Sequence, residues 1–284
     1  MLNNQVYKIV IKRLTQLSGF QQKFLAPSVW QFMKQINAAF GHQHCYLCHQ
    51  HSNQIVCRYC LETLLEDGFG QHLSASPDLL RNPNALKNLD TPNYDHLFAI
   101  DNYVWPIDKL VLDMKFGNKP VAAKALAMMF MRFVFWPCIE RTSIAPYSPA
   151  PERACDSINA ANATNGIPQL LIPVPLSNKR YWQRHYNQAQ LLCDCLSIAT
   201  HIPNQAIVRR VKHTLAQTEL NKQQRIDNVY NAFKCDLIIN AKHIAVIDDV
   251  ITTGVTINAV CQAIKTRNPT IKISVWTMAI TLLK

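Results

Sequence analysis

Glycine is scarce in this chain: seven in 284 residues, with Gly254 the sole one after Gly166. A glycine kept under such scarcity points to a backbone need, most simply a positive φ. No Asp or Glu occurs before Glu62, whereas Lys8, Lys12, Arg13, Lys23, Lys34 and Arg58 all precede it. The N-terminus lacks a continuous apolar stretch followed by small residues, so no secretory signal is read there. The longest apolar run, residues 125–131, is broken by Arg132 and is too short to span a bilayer. Neither G-x-x-x-x-G-K-[ST] nor G-x-G-x-x-G occurs, which removes the Walker and dinucleotide-binding loops.

What is present is a core-rich, basic protein. Hydrophobic residues make up 49%, and the formal net charge is +11 with a pI near 9.2. That composition excludes global disorder and favours polyanionic partners: nucleic acid, nucleotides or an anionic membrane surface. A second basic stretch runs over residues 179–225, opposed only by Asp194 and Glu219. The bland reading of both basic stretches is a solvated face.

Ten cysteines are too few for a disulfide scaffold in so long a chain, and their scatter suits a reducing cytoplasm. Four of them stand at metal spacing. Cys45-Tyr-Leu-Cys48 and Cys57-Arg-Tyr-Cys60 are two C-x-x-C turns separated by eight residues. Two such turns can complete a sulfur tetrahedron around structural Zn²⁺. A redox pair or unrelated free thiols are the alternatives, and one of the flanking histidines (His42, His44, His49, His51) could replace a cysteine.

Apolar spacing predicts two short helices over residues 4–40, divided by Pro27. They would pack on the protein body, lie peripherally on the inner membrane or track nucleic acid. Residues 66–95 read as linker, and residues 137–168 as a flexible insertion. Elsewhere strands are expected at 96–103, 169–174, 206–212, 243–249 and 272–281. Helices are expected at 106–116, 119–136, 184–199 and 256–267. Alternation of this kind predicts an α/β fold with a parallel sheet covered on both faces.

The most informative segment begins at His243. Residues 244–247 are an apolar run, and Asp248 and Asp249 then fall at its carboxyl end, where open α/β sheets bind ligands. Thr252-Thr253-Gly254-Val255-Thr256 follows, opening a helix with an apolar stripe at Ile257, Val260, Cys261 and Ile264. A small-residue loop at a helix start aims backbone N–H groups at one point and suits a phosphate monoester. The two carboxylates would face a sugar's hydroxyls. The plain alternative is a βα turn in which the aspartates cap or solvate.

This string resembles the phosphoribosyltransferase fingerprint, and more closely the competence protein F (ComF/GntX) family of phosphoribosyltransferase-like proteins. Further likeness lies in the cysteine knuckle, in Met114-Lys-Phe-Gly117 and in Ile172-Pro-Val-Pro-Leu176 with Arg184-His-Tyr-Asn-Gln-Ala189. It continues in Gln217-Thr-Glu-Leu220 with Arg225-Ile-Asp-Asn228 and Ala232-Phe233. His185 stands where the family usually has glycine. The resemblance implies a type I phosphoribosyltransferase-like sheet in which Asp248, Asp249, Val250, Thr252, Thr253, Gly254, Val255 and Thr256 bind phosphoribosyl pyrophosphate. Asp248 and Asp249 would accept from the ribose hydroxyls, with Mg²⁺ bridging ribose and pyrophosphate. Lys115, Arg184, Lys212 and Arg225 are candidate cations for pyrophosphate or nucleic acid, with a plain surface role as the alternative for each.

Two functions then compete. One is a ribose-phosphate-binding module that handles single-stranded DNA in uptake, utilisation or competence, with Tyr181 and Tyr186 as stacking platforms and Trp182 expected in the core. The other is an active phosphoribosyltransferase acting on a base or other nucleophile. A membrane-surface or DNA-uptake-machinery contact through residues 1–40 is compatible with either.

Overall fold

In the computed structural model, the described residues are 44–70, 78–87, 89, 91–138, 166–177, 181–182, 184–211 and 232–281. The expected N-terminal helices, most of the 137–168 insertion, Lys212 and Arg225 lie outside them.

Four strands form one parallel sheet: β1 (His96–Asn102), β2 (Leu170–Pro173), β5 (His243–Ile251) and β6 (Lys272–Ile280), in the order β1-β6-β5-β2. β5 is therefore interior, paired with β2 on one side and β6 on the other. Its residues Ala245 and Ile247 pack into one hydrophobic cluster, and Ile244 and Val246 into the other. The first cluster also holds residues of helices α2 (Ile107–Lys115), α3 (Val121–Phe130) and α4 (Gln188–Thr200). The second holds those of α5 (Val255–Arg267). Burial on both faces explains why the strand reads as an unbroken apolar run rather than an alternating one. The α/β architecture is the one expected from the sequence. Helix α1 (Arg58–Glu66) belongs to the cysteine segment.

One expected strand is displaced from this sheet. Residues 208–210, β3, pair antiparallel with β4 (Phe233–Cys235) in a separate two-stranded ribbon. Only Val208 of β3 is buried, and Arg209 and Arg210 could not enter a sheet covered on both faces without burying charge. Trp182, expected in the core, is instead 77% exposed.

Helix α3 continues through a π-helical turn (Met131–Phe135), so the span Val121–Cys138 is long and apolar enough to cross a membrane by length and composition. The span exceeds the apolar run 125–131 because the helix continues past Arg132 to Cys138. Within the protein 67% of the span is buried, chiefly against α2, α4 and the sheet, so its apolar surface is already used by the core.

The segment before β1 is tied to the helix that follows β5. Asn258, fully buried on α5, accepts from the Asn93 N–H at 2.9 Å and donates to the Thr91 carbonyl at 3.0 Å. Removing that side chain deletes two hydrogen bonds whose backbone partners, at Asn93 and Thr91, are partly or fully exposed and can turn to water, so each bond is worth about 0.5–1.5 kcal/mol. Asn258→Ala is expected to lower unfolding free energy by about 2 kcal/mol in urea titrations; an unchanged midpoint would contradict this clamp.

Candidate phosphate site and cysteine knuckle

The cleft arises where β2 leaves β5. Pro173 is the last β2 residue in register with Ile247, and the Val174 N–H reaches the Ile247 carbonyl at 3.0 Å. Past that point β5 runs on to Ile251 beside β6 alone, while residues 174–177 diverge. The opening has a volume of about 920 Å³ and is lined by Asp248, Asp249, Val250 and the whole 252–256 turn. Lys115, Phe116, Arg184 and Arg210 line it from other elements.

The turn has the backbone that the glycine scarcity predicts. Gly254 adopts φ 76°, ψ −5° at the N-cap of α5, and the Asn258 N–H donates to its carbonyl at 2.8 Å. A Cβ there would also stand 3.2 Å from the Leu89 Cδ2 atom. No side chain caps α5 and no acid occupies its first turn. The first turn of the helix, with its N–H groups and positive dipole end, thus opens on the cleft, with Thr252, Thr253 and Thr256 exposed around it.

The carboxylates depart from expectation in one respect. Asp249 is 8% exposed and pairs with Lys115 Nζ at 2.9 Å, so it is not simply turned outward. The reason is topological: α2 ends against the carboxyl edge of the sheet and delivers Lys115 there. Both partners of that pair line the cleft, and Asp248 beside them accepts from the Asp249 N–H at 2.9 Å. Two hard oxygen donor groups at this mouth are of the type that suits Mg²⁺ or sugar hydroxyls.

Of the sequence-derived cations, Lys115 and Arg184 come to the cleft. Arg210 and Lys87 line it too and had not been singled out. Arg210 lay within the basic 179–225 stretch, but only its place in the β3–β4 ribbon brings it to the mouth. His185, at the family's glycine position, has φ 63°, a left-handed backbone that glycine adopts freely.

The four cysteines converge as the spacing predicts. Cys45 and Cys60 sulfurs lie 3.8 Å apart, those of Cys48 and Cys57 3.7 Å, and all four fall within 4.8 Å of one another. Tetrahedral zinc with Zn–S bonds of about 2.3 Å requires sulfur–sulfur edges of about 3.8 Å, so the set fits. Burial pushes the Cys45 thiol up, but N–H groups of Cys48, Cys57 and Leu47 outweigh it and bring it down to about 7. Burial and the neighbouring Cys57 and Cys48 sulfurs drive Cys60 up. His44, His49 and His51 are not part of the cluster.

The knuckle docks on α2. Within the first C-x-x-C turn, the Tyr46 hydroxyl donates to Asp113 Oδ2 at 3.0 Å, and Lys109 and Lys119 pair with the same carboxylate at 2.8 and 3.2 Å. Asp113 lies two residues from the end of the helix that supplies Lys115 to the cleft.

The fold and site define a parallel α/β protein with an uncapped helix-opening turn at its carboxyl edge and a four-cysteine knuckle. No family model matches the chain, but individual proteins do. It is 34% identical to competence protein F of Haemophilus influenzae over 202 residues, 69% of this chain and 76% of that one. It is 28% identical to the DNA utilization protein YhgH of Escherichia coli over 194 residues, 67% and 74% of the two chains. A shorter match, 28% over 112 residues, joins it to competence protein ComFC of Bacillus subtilis, covering 38% of this chain and 43% of that one. The chain belongs to the competence protein F family.

Two outcomes are expected at the knuckle. Metal analysis should return about one zinc per chain for a single four-sulfur site, reduced in Cys60→Ser. A fully folded, metal-free protein would contradict the assignment. Burial raises Asp113, but the bonds from Lys109, Lys119 and Tyr46 outweigh it and hold it below the usual carboxylate value. A carboxylate depressed in the folded state stabilises above its unfolded pKa, about 3.9, and that stabilisation fades as pH falls through the folded value. The stability gap between wild type and Asp113→Asn should therefore be constant near neutrality and close below about pH 4; a gap unchanged at pH 3 would contradict the ion-pair account.

Proposed function

We propose that the chain binds phosphoribosyl pyrophosphate, or a related ribose 5-phosphate, at the 248–256 segment and serves in the uptake or use of single-stranded DNA. The observation that carries the binding reading is Gly254. Its left-handed backbone opens an uncapped helix at the carboxyl edge of the sheet, beside two carboxylates and several cations. The biological setting rests on the relatives, whose names are competence and DNA utilization proteins.

In this reading the 5-phosphate sits on the main-chain N–H groups of residues 253–256, with hydroxyls of Thr252, Thr253 and Thr256 as further donors. Asp248 accepts from a ribose hydroxyl. Asp249 does the same once Lys115 swings from it to the pyrophosphate, exchanging one charge-assisted contact for another. Arg184 and Arg210, which line the same cleft, are further cations for that anion. Mg²⁺ bound with the ligand would bridge its oxygens and offset the charge of the pyrophosphate. The cysteine knuckle holds structural Zn²⁺ and braces α2, and thereby Lys115.

Isothermal titration with Mg²⁺ and phosphoribosyl pyrophosphate should show saturable binding. Asp248→Asn and Asp249→Asn should each weaken it roughly tenfold or more, since a hydrogen bond to a charged group contributes about 1.5–3 kcal/mol. Gly254→Ala should weaken it further, because its Cβ is strained at this φ and meets Leu89. Absence of any saturable binding by the intact protein would overturn the proposal.

A further inference from the structure

Phe116 is out of place as a structural residue. It follows Lys115 at the end of α2, belongs to neither hydrophobic cluster and is 72% exposed, yet it lines the cleft. A ring of this size normally contributes to a fold by being buried. This one is held at the cleft on a stiff support. Its N–H donates to the Leu112 carbonyl at 2.8 Å, and Gly117 after it packs so tightly that a Cβ would lie 2.8 Å from the Asp113 carbonyl oxygen.

Its neighbours are arranged as in a stacking site. The Arg184 guanidinium lies over the ring, its Cζ 5.1 Å from the centroid. Arg184 is itself steered by Gln188, a buried residue whose Oε1 accepts from Nη1 at 3.1 Å. The Tyr186 hydroxyl donates to the Met114 carbonyl, pinning the Arg184 turn to the end of α2. Leu112, one turn earlier and also partly exposed, extends the apolar wall. A rigid, largely exposed aromatic ring with a guanidinium over one face is suited to stack a planar, π-rich ring, and tolerant of which one.

We propose that Phe116, with Arg184, is the platform for a nucleobase, so that the cleft takes a whole 5′-phosphorylated nucleotide unit: phosphate on the 252–256 turn, base on Phe116. This rests on the phosphate reading of that turn given above. It adds the recognition element for a base that ribose phosphate alone does not call for. The unit is either a free nucleotide or the 5′-phosphorylated end of a strand, since both present the same monoester and base.

The test compares ribose 5-phosphate, adenosine 5′-monophosphate and adenosine by titration against the full-length protein. The mononucleotide should bind on the order of tenfold tighter than ribose 5-phosphate, the gain typical of one stacked base. Phe116→Ala should remove that advantage while leaving ribose 5-phosphate affinity within about twofold, and Phe116→Trp should retain it. Equal affinities in the wild type, or a Phe116→Ala loss shared by both ligands, would overturn the platform while sparing the phosphate turn. Failure of ribose 5-phosphate and the mononucleotide alike would overturn both. A short single strand carrying a 5′-phosphate, set against its 5′-hydroxyl twin, separates the sources. Preference for the phosphorylated strand assigns the site to strand ends. Binding of the mononucleotide with neither strand assigns it to free nucleotide.

Discussion

A strand covered on both faces by helices, and on both edges by other strands, leaves ionised side chains no place along its length. β5 obeys this through Ile247, where β2 stays in register and every side chain is buried. Once β2 turns away, the strand has an open flank, and its next two residues are aspartates. The chain must then reverse into α5 within three residues, and it does so through a left-handed glycine. The uncapped helix end, the carboxylates and the opening are consequences of one topological event. Charge placed there meets the cleft at Asp248 and the Lys115 ammonium at Asp249, which offsets the desolvation cost it would carry one residue earlier.

Helix α2 joins this edge to the cysteine knuckle. Its Asp113 takes the Tyr46 hydroxyl, its Lys115 reaches Asp249, and Phe116 caps its end in the cleft. The four-cysteine segment thus rests on the element that furnishes one wall of the site. On the opposite side the Asn258 clamp and the Leu89–Gly254 contact hold the segment before β1 against the turn. The site is braced from both flanks by residues far from it in sequence.

That distance separates what the sequence discloses from what it hides. The 244–256 string is local: apolar run, acids, threonines and glycine each have one physical reason to stand where they do, and their order alone predicts the turn. The C-x-x-C pairs are legible for the same reason, since sulfur spacing dictates ligand geometry. The β3–β4 ribbon was missed because strands of three residues leave almost no period, and the expected placement of residues 208–210 in the main sheet ignored their two arginines. The Lys115–Asp249 pair, the Asn258 clamp and the exposure of Trp182 depend on contacts between distant elements, for which no spacing rule exists. Gly117 and His185 lie between: the first marks a tight approach and the second occupies a glycine's backbone, yet neither announces this from composition.

The account stands on main-chain N–H groups of residues 253–256 converging on one phosphate. Titration of ribose 5-phosphate into isotopically labelled protein, followed by amide resonances, addresses it directly. Saturable shifts centred on residues 252–256, with Asp248 and Asp249 next, are the predicted result. Shifts confined to other regions, or a turn whose amides do not respond, would contradict it.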